Sequence, residues 1–348
     1  MRPEAACLSR AVVVAEEAVA TGGYPSAVLG IANGEREIWT HVEPGTTGAR
    51  VNTIFPVASL AKPMIATIVL RLVEHGQVLL SSPVAAHVPE FGVDGKDRVT
   101  IGQLLTHTGG IDDGGRWLEL LTAGATHGAF LAAACESKLA FVPGTRCAYS
   151  SLGFVVVAEL VSRIIGRAYQ DELTAQVFGP LGMPETGFRP ADSARAARVH
   201  PILGAAVDES AEFSSVESLT ASGAGLWSTI GDLFTFGRTW LRQRSPVGNR
   251  LLRPVTVALM TECHTLGLID GSDGGNAGAR RGLGWEVLVR ERLIGPGASS
   301  FGHRGATGTL LWIDPENDLV FVFLSNRWGA DDQFPARALN AAYRCLKV

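Results

Sequence analysis

Lysine is nearly absent: Lys62, Lys96, Lys138 and Lys347 are all the chain has, against 26 arginines in 348 residues. The arginine bias, beside abundant alanine and glycine, reads as codon bias. Net charge is only −4, with acids and bases mixed along the chain. No polybasic run exists that would mark a nucleic-acid or membrane-surface partner. The five cysteines (Cys7, Cys135, Cys147, Cys263 and Cys345) are odd in number and form no Cys-x-x-Cys pair. That excludes a disulfide framework and a zinc-ligand pattern, so reduced thiols and no metal are expected. No apolar run reaches membrane-spanning length. Arg2, Glu4, Arg10, Glu16 and Glu17 interrupt any signal-peptide core, so a cytoplasmic protein is the expectation. Gly-x-Ser-x-Gly, His-Glu-x-x-His and the phosphate-binding Gly-x-x-x-x-Gly-Lys are missing too. α/β-Hydrolase, zincin and P-loop chemistries therefore have no footing, and no cofactor is expected.

What is present is a large apolar fraction, 46%, enough for a sizeable core and two packed subdomains. Residues 3–21 have helical periodicity, closed by Gly22-Gly23. Ser26–Ile31 and Glu35–Val42 read as strands around an Asn33-Gly34 turn. Residues 77–100 read as a connection with strand fragments, and Thr100–Gly110 as a short helix ending in glycines. Helical segments follow at 117–138, 152–166 and 169–179, then a loop-rich stretch at 180–222 and a helix at Thr229–Arg242. The six glycines of residues 264–283 predict a surface loop or lid. Strands at Trp285–Val289, Ser299–Arg304, Thr309–Ile313 and Leu319–Leu324 precede a C-terminal helix, Phe334–Cys345. Strands at both ends and helices between them predict one antiparallel sheet faced by helices, with an all-helical insertion beside it. The corresponding division is residues 1–80 with 205–348 as an α/β subdomain and 81–204 as a mainly helical one. A cleft between them would hold the active site.

One stretch organises the chain: Phe55-Pro-Val-Ala-Ser59-Leu-Ala-Lys62-Pro-Met64, running on to Val73 with only Thr67 and Arg71 breaking its apolar shaft. A helix apolar nearly all round is a buried one. Ser59 and Lys62, three apart, share a face. Ser59 is placed to act as N-cap, where the helix dipole favours negative charge. A hydroxyl beside an amine in apolar surroundings is the pattern of an activated nucleophile with its base. Ordinary usage would yield roughly one Ser-x-x-Lys by chance. Here, however, it is the only such tetrad and uses one of just four lysines.

A Ser–Lys nucleophile needs a second proton carrier and N–H donors for an oxyanion. Tyr149-Ser-Ser151 offers the first, and the small-residue strand edge His303-Arg-Gly305-Ala306 lets a substrate approach closely. Duplicates exist: Tyr24-Pro-Ser26 precedes a strand, and His107-Thr-Gly109 lies in a helix-ending turn. Tyr149 and His303 fit the positions that the chemistry needs.

In their order and their helix, loop and strand settings, Ser59-x-x-Lys62, Tyr149-x-Ser151 and His303-x-Gly305 resemble the three motifs of serine β-lactamase/penicillin-binding-protein-like hydrolases. The nearest branch is the class C β-lactamase-like one, with its family VIII esterases and D-aminopeptidases. Leu104–Gly110 and Gly223–Ser228 with Asp232 fit the same pattern, and the resemblance spans about residues 8–345. It implies a β-lactamase/transpeptidase-like α/β (α+β) fold. It also implies Ser59 as the acylated nucleophile, Lys62 as its proton partner and Tyr149 as general base and later acid. The oxyanion hole would be the N–H groups of Ser59 and Ala306, with Ser151, His303 and Gly305 as substrate contacts.

Two departures bear on substrate. Ser151 stands where class C enzymes have asparagine, and His303 where Lys-Thr-Gly has lysine, removing a cation that holds carboxylates. Arg304 faces the other side of its strand. The expected activity is therefore a carboxylesterase on small esters, with weak β-lactam turnover. The other readings are an acyltransferase using the same acyl-enzyme, a D-aminopeptidase, D-amidase or β-lactamase, and a non-catalytic scaffold. For an aminopeptidase, Asp112, Asp113 or Glu262 would receive the ammonium. Thr106, His107, Trp117, Trp227, Trp285 and Phe301 are candidate pocket walls. The expected partner is a small-molecule ester or amide; the oligomeric state has no signature in the sequence.

Overall fold

The computed structural model describes residues 5–188, 192–204, 225–242, 251–271, 280–287, 295–330 and 332–345. Among the described residues the ten strands in chain order are β1 (Ala27–Ala32), β2 (Glu37–Glu43), β3 (Phe55–Pro56), β4 (Leu203–Gly204), β5 (Trp227–Ser228), β6 (Glu286–Val287), β7 (Phe301–Gly305), β8 (Thr309–Asp314), β9 (Leu319–Leu324) and β10 (Arg327–Trp328). Six of them form one antiparallel sheet in the order β2-β1-β9-β8-β7-β6, which unites the two ends of the chain. The Asn33 side chain closes the β1–β2 turn, accepting the Arg36 N–H at 2.9 Å. The short strands pair separately, β3 with β5 and β10 with β4.

The sheet is apolar on both faces because each is covered. Along β9, Val320, Val322 and Leu324 join one core cluster, while Leu319, Phe321 and Phe323 join the other. That alternation is the strand period of two. Helix α1 (Ala5–Ala20) and the C-terminal helix Gln333–Tyr343 cover the second face through Leu8, Val14, Leu339 and Tyr343. The helix Ile230–Arg242 covers the first, with Leu233, Phe236 and Trp240 against the strands. Gly237 permits this approach, since a Cβ there would lie 2.5 Å from Val320 Cγ1.

Every named element between β3 and β4 is helical: α2 (Ala61–Glu74), α3 (Ile101–Leu105), α4 (Arg116–Thr122), α5 (His127–Glu136), α6 (Ser151–Ile165) and shorter turns. Helix α2 is buried from Ala61 through Leu70. Each buried Val, Leu or Ile there is worth roughly 1.5–3 kcal/mol against exposure. Those gains offset the cost of burying the Lys62 amine.

Several expectations change. Residues 77–100 contain three 3₁₀ turns, Val84–Ala86, Pro89–Phe91 and Lys96–Arg98, and the expected strand fragments are reduced to an isolated antiparallel bridge between Pro83 and Thr100. Pro83 and Pro89 fix φ and lack an N–H to give to a ladder. The segment 117–138 is two helices, interrupted at Gly124 with φ +67° and restarted by the Thr126 cap. The flanks of the glycine-rich loop are docked: Thr265 is fully buried, and Cys147 bridges to Asp270. Residues 272–279, residues 205–222 of the 180–222 loop, Gly223-Ala224 and the end of the Trp285–Val289 strand lie outside the described residues. Among the described residues no helix is long and apolar enough to cross a membrane, and no group of three or more His, Cys, Asp or Glu could hold a metal.

Candidate active site

Ser59 sits in a 3₁₀ turn, Ala58–Leu60, that leads directly into α2. Ala58 has φ +45°, a left-handed conformation that costs a non-glycine residue roughly 1–2 kcal/mol. The kink is held from both sides. The Val57 N–H donates to Leu226 O at 2.8 Å, and the Leu60 N–H reaches back to Val57 O at 3.1 Å. Ser59 is not the helix cap that its position predicts, since neither the turn nor α2 has a side-chain cap. Its hydroxyl instead lies 3.0 Å from Lys62 Nζ and 2.9 Å from the Tyr149 hydroxyl. Both neighbours donate to one oxygen, so two proton carriers converge on a single nucleophile. Ser59 is 8% exposed and Lys62 1%. Lys62 Nζ also lies 5.0 Å from the Tyr149 ring centroid and 5.6 Å from that of Phe154.

Tyr149 owes its place to the start of α6. Ser150 caps that helix, accepting the Gly153 N–H at 2.9 Å. Asp113 holds the same turn, accepting from the Ser150 hydroxyl (2.8 Å), the Ser151 N–H (2.7 Å) and the Leu152 N–H (3.0 Å). Burial raises the Asp113 carboxyl above the usual range, against those hydrogen bonds and the nearby Lys62. Asp113 is therefore engaged as an anchor for the helix, not free to take a substrate ammonium. Asp112 accepts the Gly114 N–H, and Glu262 is an exposed carboxylate 3.9 Å from His264. Ser151 is the buried first residue of α6. Nothing in its local sequence marked Asp113 for this role, because its partners lie nearly 40 residues downstream.

His107 stacks on Tyr149 with ring centroids 4.4 Å apart. Its Nδ1 accepts the Ser150 N–H at 3.1 Å, which leaves the proton on Nε2. Burial first, then Arg281, Lys62 and His303, hold it well below the ordinary histidine value.

Strand β7 brings His303 and Gly305, with Ala306 just past its end, to the kink before Ser59. A Cβ on Gly305 would lie 2.5 Å from Val57 O, and the Thr307 hydroxyl donates to Pro56 O. His303 Nδ1 donates to Arg304 O at 2.7 Å. Burial pushes its pKa down to about 3; Lys62 and Arg281 add to this and Glu286 opposes it. His303 is thus a neutral group where the resembling enzymes often carry a lysine. Arg304 turns to Glu286 and Asp332, as strand alternation predicts. Glu286 lies at about 2: burial alone would raise it, but Arg304 and Arg281 outweigh that.

Of the expected pocket walls, His107 and Trp117 line this neighbourhood. Trp117 stacks on Trp328, centroids 5.7 Å apart, and the Gly329 N–H bonds to Ala306 O at 2.9 Å. Trp328 was not anticipated. Trp285 and Phe301 are core residues, packed on each other at 5.1 Å and on Trp240. Trp227 is buried in β5, and Thr106 is occupied by Gly102 O and Thr108. A concavity of about 840 Å³ around Asp171, Phe178, Met183 and Phe188 contains none of these groups.

This arrangement has counterparts. Penicillin-binding protein 4 of Amycolatopsis lactamdurans is 29% identical over 298 residues, covering 80% of this chain and 74% of its own. Esterase EstB of Burkholderia gladioli is 36% identical over 166 residues, covering 42% and 41%. The solved structure of EstCE1, a hydrolase with promiscuous acyltransferase activity, superposes with a TM-score of 0.79 at 21% identity, covering 97% of this chain and 99% of that one. The beta-lactamase family model matches residues 14–344, a span that includes the whole described sheet and every group at the Ser59 cluster, and the chain belongs to that family.

Proposed function

We propose that the protein is a serine hydrolase that forms an acyl-enzyme on Ser59 and acts on small carboxylic esters. The observation that carries this is the Ser59 hydroxyl, set between Lys62 Nζ at 3.0 Å and the Tyr149 hydroxyl at 2.9 Å. Ser59 Oγ attacks the ester carbonyl from the form in which Tyr149 is a phenolate, and the serine's proton passes to that phenolate oxygen beside the Lys62 amine. The backbone N–H groups of Ser59 and Ala306 receive the oxyanion. Collapse of the tetrahedral intermediate breaks the ester C–O bond, and Tyr149 returns the proton to the departing alcohol. Water then enters by the same route in reverse, releasing the acid and restoring Ser59.

Esters are favoured over β-lactams and peptide C-termini because neutral His303 offers no charge to a substrate carboxylate. The Trp117–Trp328 stack beside Ala306 supplies an apolar wall, suited to an uncharged acyl group. The names of EstB and EstCE1 agree with this reading. The test is p-nitrophenyl ester turnover with intact-mass analysis after a fluorophosphonate probe. The parent should hydrolyse the ester and gain one adduct, and Ser59→Ala should do neither. Turnover retained in Ser59→Ala, or a parent that takes no adduct, overturns the proposal. An added alcohol that diverts product from acid to new ester would identify acyl transfer from the same intermediate.

A further inference from the structure

Beside Lys62, a second buried cation stands at the cluster, and it comes from the glycine-rich stretch. Arg281 is 8% exposed, with its guanidinium carbon 5.5 Å from the Tyr149 ring centroid. Nη1 lies 3.3 Å from Glu286 Oε1 and Nη2 3.7 Å from Asp270 Oδ2. These are ion pairs without close hydrogen-bond geometry, and Nη1 is buried with no hydrogen-bond partner. The main chain of Arg281 is fixed as well. Its N–H donates to Thr265 Oγ1 at 2.9 Å, and its carbonyl accepts the His264 N–H at 2.8 Å. The flank before it grips the chain leading to Tyr149, where the Cys147 N–H donates to Ile269 O (3.1 Å) and the Gly271 N–H to Cys147 O (2.8 Å). Arg281 thus brings a cation to Tyr149, and residues 264–271 tie it to the backbone two residues before the ring.

We propose that Arg281 is a positioning residue that acts through Tyr149: it holds the ring against Ser59 and keeps positive potential on it, so that the phenolate can take the nucleophile's proton and the resulting phenol can return it. The proposal rests on the acyl-enzyme reading above. Arg281 does not serve as the missing cation for a substrate carboxylate, because it is buried and already faces two carboxylates. Other groups also face Tyr149: Lys62 from α2, His107 from the turn after α3 and His303 from β7 at 6.2 Å between rings; Cys147, two residues before it in the chain, interacts with Arg281. Asp113 lies at the next turn. The two histidines are held neutral and the Cys147 thiol is pushed up to about 11. Around the phenol therefore stand the Lys62 amine and the Arg281 guanidinium, with the Asp113, Asp270 and Glu286 carboxyls beside them.

The test uses two variants of opposite sign. Arg281→Gln removes the cation, and Asp270→Asn removes one of its counter-charges. Tyrosinate absorbance is titrated in each against the same protein carrying Tyr149→Phe, which isolates one tyrosine of the four. In Arg281→Gln the Tyr149 step, and the acid limb of kcat/KM with it, should move up by about one pH unit. In Asp270→Asn both should move down, and Arg281→Lys should restore much of the parent profile. Steps that stay in place in both variants, or move the same way, overturn the proposal; so does a fall in kcat with an unmoved pH profile. Should Arg281→Gln fail to fold, the downward shift in Asp270→Asn decides alone. The absorbance titration needs no substrate, so it separates failure of this inference from failure of the ester reading.

Discussion

Neutral His303 should leave little trace in the activity profile yet govern acid stability. In the folded protein its pKa is about 3, set chiefly by burial. In the unfolded chain it returns to about 6.5. Between those values unfolding takes up a proton, so stability is fully present above about pH 6.5 and is lost as pH falls toward 3. The slope is about 1.4 kcal/mol per unit. Moving from about pH 7.5 to 4.5 crosses two units of that window and should remove about 3 kcal/mol, a large share of the roughly 5–15 kcal/mol that a domain commands. His107 is shifted in the same direction and steepens the loss. Glu286, held near 2, keeps its contribution until the solution is more acid than this window. The comparison is His303→Asn, which cannot titrate but can still donate toward Arg304 O. Urea unfolding followed by circular dichroism at both pH values gives the two losses. The parent should lose about 3 kcal/mol more than the variant. Equal losses would refute the assignment of a buried neutral imidazole.

Three further outcomes follow from the geometry. Gly305→Val would drive a side chain into Val57 O and Thr309, so kcat should fall about 100-fold or more with a lower melting temperature, read by ester turnover and thermal unfolding. Asp113→Ala would orphan the Ser151 and Leu152 N–H groups, costing about 1–3 kcal/mol per unsatisfied group in urea unfolding, and kcat should drop as Tyr149 loses its anchor. His303→Lys restores a cation at β7 and should raise penicillin acylation relative to ester hydrolysis by about tenfold or more, measured with a fluorescent penicillin and a p-nitrophenyl ester.

Local features were the legible ones. Ser59 and Lys62 sit three apart on a helix, so the sequence spacing already placed them together, and the Asn33-Gly34 hairpin formed where its turn residues said. Strand periodicity and helical stripes gave the order of the main elements, with both ends of the chain in one sheet. The family motifs brought in Tyr149 and His303, which the fold places around Ser59. The misses are contacts without a local signal. Arg281 meets a tyrosine more than a hundred residues earlier, from a stretch whose glycines spoke only of turns. Asp113 resembles any loop acid until α6 is laid against it. Trp285 and Phe301 carry no mark distinguishing a pocket wall from a core residue, and the helix Ile230–Arg242 decided it by packing Trp240 onto them. Serine at a helix start reads as a cap by default; here the cluster claims its oxygen instead.

The pairing of β1 with β9 has a consequence for how the protein is born. Ser26 bonds to Asn326, 300 positions later. At roughly 5–20 residues per second, a ribosome would take about 15–60 s to deliver the partner strand. Throughout that interval the apolar segment Ala27–Ala32 leaves the tunnel with one hairpin neighbour and one unpaired edge, which is a template for wrong pairing. Ser59, Tyr149 and Ala306 likewise emerge at widely separated times. A nascent chain therefore carries an unassembled centre until its last strands appear, and chaperone demand during synthesis should concentrate on that exposed early hairpin.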